Sequence, residues 1–288
     1  MRSQLHSGYR ICIEPLASII LAIRKHTLRD PQDPLHWYDY PAFYDMGFRD
    51  ETKPEADFFE KVFEKYSVGK VQSLLEPGCG SGRLIVEMAA RGYSVTGFDL
   101  NEVSLRYLQQ RLNRRKLSAD VRVGDMTNFS LGKTYDAAFN TYNTFRHLTD
   151  EAGAQSHLKH VADHLRSGGL FILGLHLFPP GCDPMGSERW KVKTGKTEVT
   201  YTLKVLSTEP RKRLEHLRII MSIKTASGKR QLRAEFPLRT YNATQFKKTL
   251  QSEPRLEICE VFDFWYDINE PQKLDNQIVD TVVVLRKK

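Results

Sequence analysis

The stretch Leu74-Leu75-Glu76-Pro77-Gly78-Cys79-Gly80-Ser81-Gly82-Arg83 constrains this chain more than any other. Val71 to Leu75 is an apolar run that reads as a buried parallel strand, and Leu84-Ile85-Val86-Glu87-Met88-Ala89-Ala90 takes up helical spacing. Between them stand an acid and three alternate glycines, which makes a strand, a tight turn and a helix starting at about Ser81. Glycine lets the backbone turn sharply and approach a ligand, while the free amides of the helix start point into the same space. The turn is a nucleotide-sized cradle. A dinucleotide fingerprint asks for a third small residue, as in G-x-G-x-x-G/A, but counting from Gly78 and Gly80 that place holds Arg83. A dinucleotide is therefore disfavoured.

Length and composition set the outer limits. At 288 residues the chain can bury a substantial core, as one generous domain or one domain with an elaborated insert. Cys12, Cys79, Cys182 and Cys259 lie far apart, with no C-x-x-C pair and no histidine cluster at metal spacing. Neither a disulfide framework nor a metal site is expected, and a reduced, cytoplasmic setting follows. The formal charge of +8 allows an acidic partner, although such an excess spread over this length reads first as a solvated surface. Ile11 to Ile23 is apolar but interrupted by Glu14 and Pro15, too short for a membrane span and without a cleavage site after it. Residues 1–35 read as an N-terminal extension.

Downstream of the glycines, Tyr93 to Asp99 reads as a second strand ending in an acid, where a carboxylate can accept both hydroxyls of a ribose. A helix over Ser104 to Arg114 buries Leu105, Leu108 and Leu112, and a third strand, Ala119 to Val123, runs into Gly124-Asp125-Met126. Tyr135 to Asn140 is a fourth strand, followed by Thr141-Tyr142-Asn143-Thr144-Phe145-Arg146-His147-Leu148. A helix from Glu151 to Leu165 and the turn Ser167-Gly168-Gly169 lead to a fifth strand, Leu170 to Leu177.

Glu76 followed by Gly78, Gly80 and Gly82, then Asp99, then Asp125-Met126, resembles the motif series of the class I S-adenosylmethionine (SAM)-dependent methyltransferases. The resemblance implies a Rossmann-like seven-stranded, mostly parallel sheet with helices on both faces and a reversed terminal hairpin. It implies SAM as cofactor, with S-adenosylhomocysteine as product. It assigns Glu76, Gly78, Cys79, Gly80, Gly82 and Arg83 to the amino-acid half of SAM, Asp99 and Leu100 to the ribose, and Asp125 and Met126 to the adenine. Asn140 and Tyr142 would flank the methyl donor.

The loop after the fourth strand bears on the acceptor. Enzymes that methylate DNA bases carry Asn/Asp-Pro-Pro-aromatic there, where this chain has Asn140-Thr141-Tyr142-Asn143, and the loop holds no cysteine for pyrimidine-carbon chemistry. It resembles the small-molecule N-methyltransferases of glycine and amino-sugar type. Alternating stretches at Glu198 to Val205, Leu217 to Lys224 and Gln231 to Leu238 read as a small antiparallel sheet inserted between the fifth strand and the last helix. By the same resemblance this insert, within residues 181–239, roofs the substrate. Residues 36–180 would form the SAM-binding core and 240–288 would complete it.

The expected activity is in-line methyl transfer to N or O of a small molecule. Tyr38, Tyr44, Asn143 and Trp190 are the candidate substrate contacts. His147 and His176 are the candidate proton acceptors, since imidazole titrates near neutral pH, and Tyr142 joins them as a candidate catalytic side chain. Arg and Lys gather in the insert, from Arg189 to Arg233; solvated outer strands explain most of them, and a carboxylate- or phosphate-bearing substrate, or a nucleic acid, is the sharper reading. A nucleic acid is disfavoured as partner. Two other classes stay open at this point: an RNA or protein methyltransferase that uses the basic insert, and a non-catalytic SAM-binding protein.

Overall fold

The computed structural model describes residues 36–288, so the expected N-terminal extension over 1–35 lies outside the described residues. In chain order the elements are α1 (Pro41–Phe48), α2 (Thr52–Tyr66), β1 (Ser73–Pro77), α3 (Arg83–Ala90), β2 (Ser94–Asp99), α4 (Glu102–Arg115), β3 (Asp120–Val123) and β4 (Tyr135–Asn140). Then come α5 (Glu151–His164), β5 (Leu165–His176), β6 (Ser187–Thr194), β7 (Thr197–Glu209), β8 (Leu214–Thr225), β9 (Gly228–Arg239), α6 (Ala243–Gln251), β10 (Leu256–Phe262) and β11 (Asp280–Lys287). No helix among the described residues is long and apolar enough to cross a membrane.

The larger sheet has seven strands in the order β10-β11-β5-β4-β1-β2-β3. The β1–β2, β1–β4, β2–β3 and β4–β5 pairs are parallel, whereas β11 runs antiparallel to both neighbours. This is the mostly parallel sheet with a reversed terminal hairpin. From β1 the chain steps outward through β2 and β3, then returns to the other side of β1 as β4, where Leu74 pairs with Ala137 and Leu75 with Ala138. A ligand crevice belongs outside the carboxyl ends of strands at such a reversal. Both β1 and β4 empty into it.

Each face of the sheet is covered by helices because central parallel strands are apolar on both sides. Phe58, Phe59, Val62 and Phe63 of α2, with Leu84, Ile85 and Met88 of α3 and Leu105, Leu108 and Leu112 of α4, bury one face. Leu158, Val161 and Ala162 of α5 and Phe246 and Leu250 of α6 bury the other. Asn242 caps α6 reciprocally with Gln245, its Oδ1 accepting from the Gln245 amide at 2.8 Å. The expected turn at Ser167-Gly168-Gly169 is an excursion inside β5, which resumes pairing at Leu170 after a shift of register opposite Tyr135 and Ala137.

The insert is a four-stranded antiparallel sheet, β6-β7-β8-β9. Its buried face, including Val199, Tyr201, Ile219, Met221 and Phe236, packs on Trp37, Tyr40, Phe43 and Met46. The strand β6 was missed by sequence reading, because half of its Ser-Glu-Arg-Trp-Lys-Val-Lys-Thr stretch is charged. Charge of this kind suits an edge strand, which it protects from further pairing.

A buried ion pair ties the insert to the loop after β4. Arg146 meets the Glu215 carboxylate with both side chains almost fully buried, and its Nε donates to the Arg239 carbonyl at 2.7 Å. Removing one partner strands a charge, so Arg146→Met is expected to lower stability by about 3–5 kcal/mol in urea unfolding. The paired Arg146→Met/Glu215→Leu replacement should lose clearly less. An equal loss in the two variants would show that the charges are not what joins the two sheets.

Candidate functional site

The turn after β1 is held in one shape by backbone and carboxylate together. Gly78, Gly80 and Gly82 all have positive φ, at 68°, 51° and 70°. A side chain is excluded at two of them by contact as well: a Cβ on Gly78 would stand 2.7 Å from Thr144 Cγ2, and one on Gly82 would stand 2.2 Å from Leu108 Cδ1. Gly82 takes the left-handed conformation that precedes α3, so the helix begins at Arg83, two residues later than the spacing suggested. The Cys79 amide donates to the Phe98 carbonyl at 3.0 Å and the Gly80 amide to Asp99 Oδ2 at 2.8 Å. The Asn101 amide takes Asp99 Oδ1, also at 2.8 Å. Burial pushes the Asp99 carboxyl up, and the amides of Asn101, Gly80 and Leu100 oppose the shift.

Four polar atoms around this turn are buried without a partner among the described residues: Glu76 Oε2, Asn140 Oδ1, Ser81 Oγ and Arg83 Nη1. Such atoms carry a desolvation cost unless a ligand satisfies them. The set holds two acceptors and two groups able to donate, which is the complement of an α-amino acid with its ammonium and carboxylate. Asn140 is fixed for this by its Nδ2, which donates to the Pro77 carbonyl at 2.8 Å. Arg83 is fixed by Glu55, with which it forms a buried ion pair. Burial works against the guanidinium charge and the Glu55 carboxylate outweighs it, so Arg83 stays charged.

Farther along the strand ends, Asp125 is exposed and accepts from the Thr127 amide at 2.8 Å, while Met126 is half-buried beside it. The Met126 carbonyl faces His157 Nδ1 at 3.0 Å. Leu100 is 68% exposed and can meet a ligand only from the solvent side.

Beyond the turn lies a cavity of about 960 Å³. It brings together Tyr38, Tyr44, Tyr142, Asn143, His147, His176 and Trp190, every residue the sequence nominated for substrate contact or proton transfer. Tyr142 (φ 54°) and Asn143 (φ 66°) are in the left-handed region, and so is Tyr266 (φ 57°), which also lines the cavity. Backbone strain of this kind persists where the surroundings over-determine it. The Tyr142 ring lies between the Arg83 guanidinium, 4.7 Å from its centroid, and the Phe264 ring at 5.8 Å, and its hydroxyl donates to Glu51. Trp190 stacks on Tyr201 at 4.9 Å.

The two histidines differ. His147 Nε2 is 2.9 Å from the Tyr38 hydroxyl, and burial, with His36 and Arg146 adding to it, brings its pKa down to about 4. It is neutral at pH 7. His176 has both ring nitrogens engaged: Nδ1 lies 3.0 Å from Asn143 Nδ2 and Nε2 lies 3.2 Å from Asp280 Oδ1. Asn143 Oδ1 accepts from the His176 amide at 2.8 Å and from Arg146 Nη1 at 3.2 Å, so its amide nitrogen must be the atom facing the ring. His176 Nδ1 is then an acceptor, and the proton on Nε2 points at Asp280. This arrangement orients Asn143 and leaves no lone pair for a substrate proton.

Several lining residues were missed by sequence reading. Asp50 and Glu51, which are adjacent, Glu188 and Asp280 come from three separate segments, and Phe264-Trp265-Tyr266 come from the connection between β10 and β11. The aromatic triplet between two strands was the one available signal. Trp265 is 88% exposed at the cavity.

Glu76 makes the electrostatics testable. Burial pushes its carboxyl well above the usual value, Arg83 opposes this, and Glu55 and Asp99 add to it. The native carboxyl therefore holds its proton longer than the unfolded one. Stability from this group is complete below the unfolded pKa of about 4.5 and is lost as pH rises through the folded value. Relative to Glu76→Gln, the ligand-free wild type should show a falling urea midpoint from about pH 5 upward. Parallel midpoints would contradict this reading of the carboxyl.

Residues 74–169 match the methyltransferase domain family model. Glycine N-methyltransferase of Rattus norvegicus is 33% identical over 130 residues, covering 39% of this chain and 44% of that protein. The dTDP-3-amino-3,6-dideoxy-alpha-D-glucopyranose N,N-dimethyltransferase of Streptomyces fradiae is 29% identical over 131 residues, covering 46% of this chain and 50% of that protein. The chain spans about half the length of the curated relatives it matches. Among solved structures, an S-adenosylmethionine-dependent methyltransferase from Clostridium acetobutylicum superposes with a TM-score of 0.71 at 18% identity, over 86% of this chain and 97% of that one. SAM-bound CalS10, an amino pentose methyltransferase from Micromonospora echinaspora, gives 0.66 at 19% identity, over 89% and 100%. At these identities the likeness is one of fold, and it matches the strand order described above. With the glycine turn, the strand-end acids and the matched domain in agreement, the chain carries a class I S-adenosylmethionine-dependent methyltransferase domain.

Proposed function

We propose that this protein transfers a methyl group from SAM to a nitrogen of a small-molecule acceptor bound in the aromatic cavity. The observation that carries the reading is the juxtaposition of the two sites. Tyr142, whose ring rests on the Arg83 guanidinium, also lines the cavity, so one residue separates the donor cradle from the acceptor space. When bound, SAM supplies a methyl carbon activated by a sulfonium leaving group.

The chain's own residues bind, orient and exclude water. Glu76 Oε2 and Asn140 Oδ1 suit the donor's ammonium, and Ser81 Oγ and Arg83 Nη1 suit its carboxylate. Asp99 suits the ribose, and Asp125 with Met126 the adenine. Tyr142 and Asn143, fixed in the left-handed region, hold the acceptor side of the cradle in place. Fixing two reactants in line is itself a large part of the acceleration available to such a transfer. The acceptor nitrogen needs a free lone pair, and a proton it carries on entry leaves to solvent, since His147 is held by Tyr38 and His176 is fully engaged. Tyr38 and His147 serve here as a hydrogen-bonded wall.

The structure of the insert supports a small acceptor over RNA or protein. Lys191 pairs with Glu198 at 3.4 Å, Lys212 with Glu209 at 2.6 Å, Arg213 with Glu151 and Arg233 with Glu235 at 2.5 Å. Arg230 lies over the Phe43 ring at 5.1 Å. Much of the basic set is thus occupied within the chain.

Two measurements test the proposal. Calorimetric SAM affinity should fall by about tenfold or more in Asp99→Asn, which loses the charged acceptor but keeps one oxygen for the Gly80 amide. Unchanged affinity in a folded variant would remove Asp99 from the site. Labelled methyl from SAM should enter a small-molecule amine pool when metabolite, RNA and protein pools are offered in parallel. Labelling of the RNA or protein pool instead would overturn the acceptor assignment, and tight SAM binding with no labelled pool would favour a non-catalytic binder.

A further inference from the structure

The expectation of an anionic substrate rested on the basic residues of the insert, and the cavity has the opposite character. Four carboxylates line it, Asp50, Glu51, Glu188 and Asp280, against one cation, Arg189. Two of the four are engaged within the wall: Glu51 accepts from the Tyr142 hydroxyl and Asp280 faces His176. Asp50 and Glu188 carry no ion pair among the described residues.

The remainder of the lining is largely aromatic, and three of its buried polar atoms have no partner among the described residues: the donors Trp37 Nε1 and Trp190 Nε1, and the Tyr266 hydroxyl. Tyr266 is 8% exposed, sits on the cavity wall at a φ of 57°, and its buried hydroxyl has no partner among the described residues. A hydroxyl so placed can accept a hydrogen bond from an ammonium. Ring faces attract cations through their quadrupoles, and they do so more strongly when water is excluded. The Tyr142 ring is itself taken up by the Arg83 guanidinium and the Phe264 ring, which leaves the other rings of the lining to a ligand.

Resting on the methyl-transfer reading above, we infer that the acceptor is a ring-bearing amine that enters as a cation, and that the cavity excludes nucleotide-linked sugars. A pyrophosphate brings two negative charges and is recognised by arginine forks, lysines or helix N-termini. The cavity offers one arginine among four acids. A volume of about 960 Å³ accommodates the body of such an amine, with its rings against those of Trp37, Tyr38, Phe236 and Phe264. For transfer, the bound ammonium gives one proton to solvent, and the amine lone pair then forms the carbon–nitrogen bond as the carbon–sulfur bond of SAM breaks. The positive charge leaves with the methylated amine, and the donor leaves as the neutral thioether.

The test is calorimetric titration of the full chain saturated with S-adenosylhomocysteine. Tryptamine and 2-phenylethylamine are the cationic probes, with indole-3-propionate, 3-phenylpropionate and a thymidine-diphosphate amino sugar as anionic counterparts. The amines are expected to bind about tenfold or more tightly than the anions. In Asp50→Asn/Glu188→Gln the amine affinity should fall by about fivefold or more, while S-adenosylhomocysteine affinity stays within about twofold of wild type. Anions binding as tightly as the amines, amines that do not bind, or amine affinity unchanged in the variant would each overturn the inference. Failure of S-adenosylhomocysteine itself to bind would overturn the methyl-transfer reading instead, so the two failures are told apart.

Discussion

The hydrogen bonds between the Asp99 carboxylate and the amides of Gly80 and Asn101 hold the rest of this site in register. One carboxylate joins the turn after β1 to the end of β2, and the neighbouring Cys79 amide reinforces the junction through the Phe98 carbonyl. The left-handed Gly82 can then sit against Leu108, so the Leu108 side chain of α4 packs directly on the backbone at the start of α3. A charged acceptor on backbone amides makes a strong hydrogen bond, worth roughly 1.5–3 kcal/mol where solvent is excluded. With Asp99 proposed as the ribose residue, ligand contact and structural clasp fall to one carboxylate, whose bonds to the backbone are made before any ligand arrives.

Charge is arranged around that clasp in two tiers. Near the turn, Glu55, Glu76 and Asp99 crowd together with Arg83 as their counter-ion, and Arg83 also supports the Tyr142 ring. Such a cluster is costly to bury, and it is compensated when a cationic group enters. In the cavity beyond, acids again outnumber cations. The chain as a whole is basic while the cavity lining carries more acids than cations. The net charge of +8 therefore says little about what binds inside.

The glycine turn and the strand-end acids were legible in the sequence because their placement is local. Glu76, the glycines, Asp99 and Asp125 each stand at the end of a strand whose apolar run is continuous, and strand ends converge in any parallel sheet. The three long insert strands were legible from their alternation, whereas β6 was masked by its charged edge pattern. The acceptor half was not legible, since the Asp50-Glu51 pair, Glu188 and Asp280 meet only through tertiary packing. Nor does anything about Tyr142 or Tyr266 as residue types announce a positive φ, which the surrounding packing imposes. The ion pairs that neutralise the insert, such as Arg213 with Glu151, also join residues far apart in the chain.

A crystal structure of the full chain with S-adenosylhomocysteine tests the central claim most directly. The account predicts ribose hydroxyls on Asp99, the amino-acid end among Glu76, Ser81, Arg83 and Asn140, and the sulfur opening past Tyr142 into the aromatic cavity. A ligand bound with its sulfur sealed off from that cavity, or bound away from the glycine turn, would contradict it.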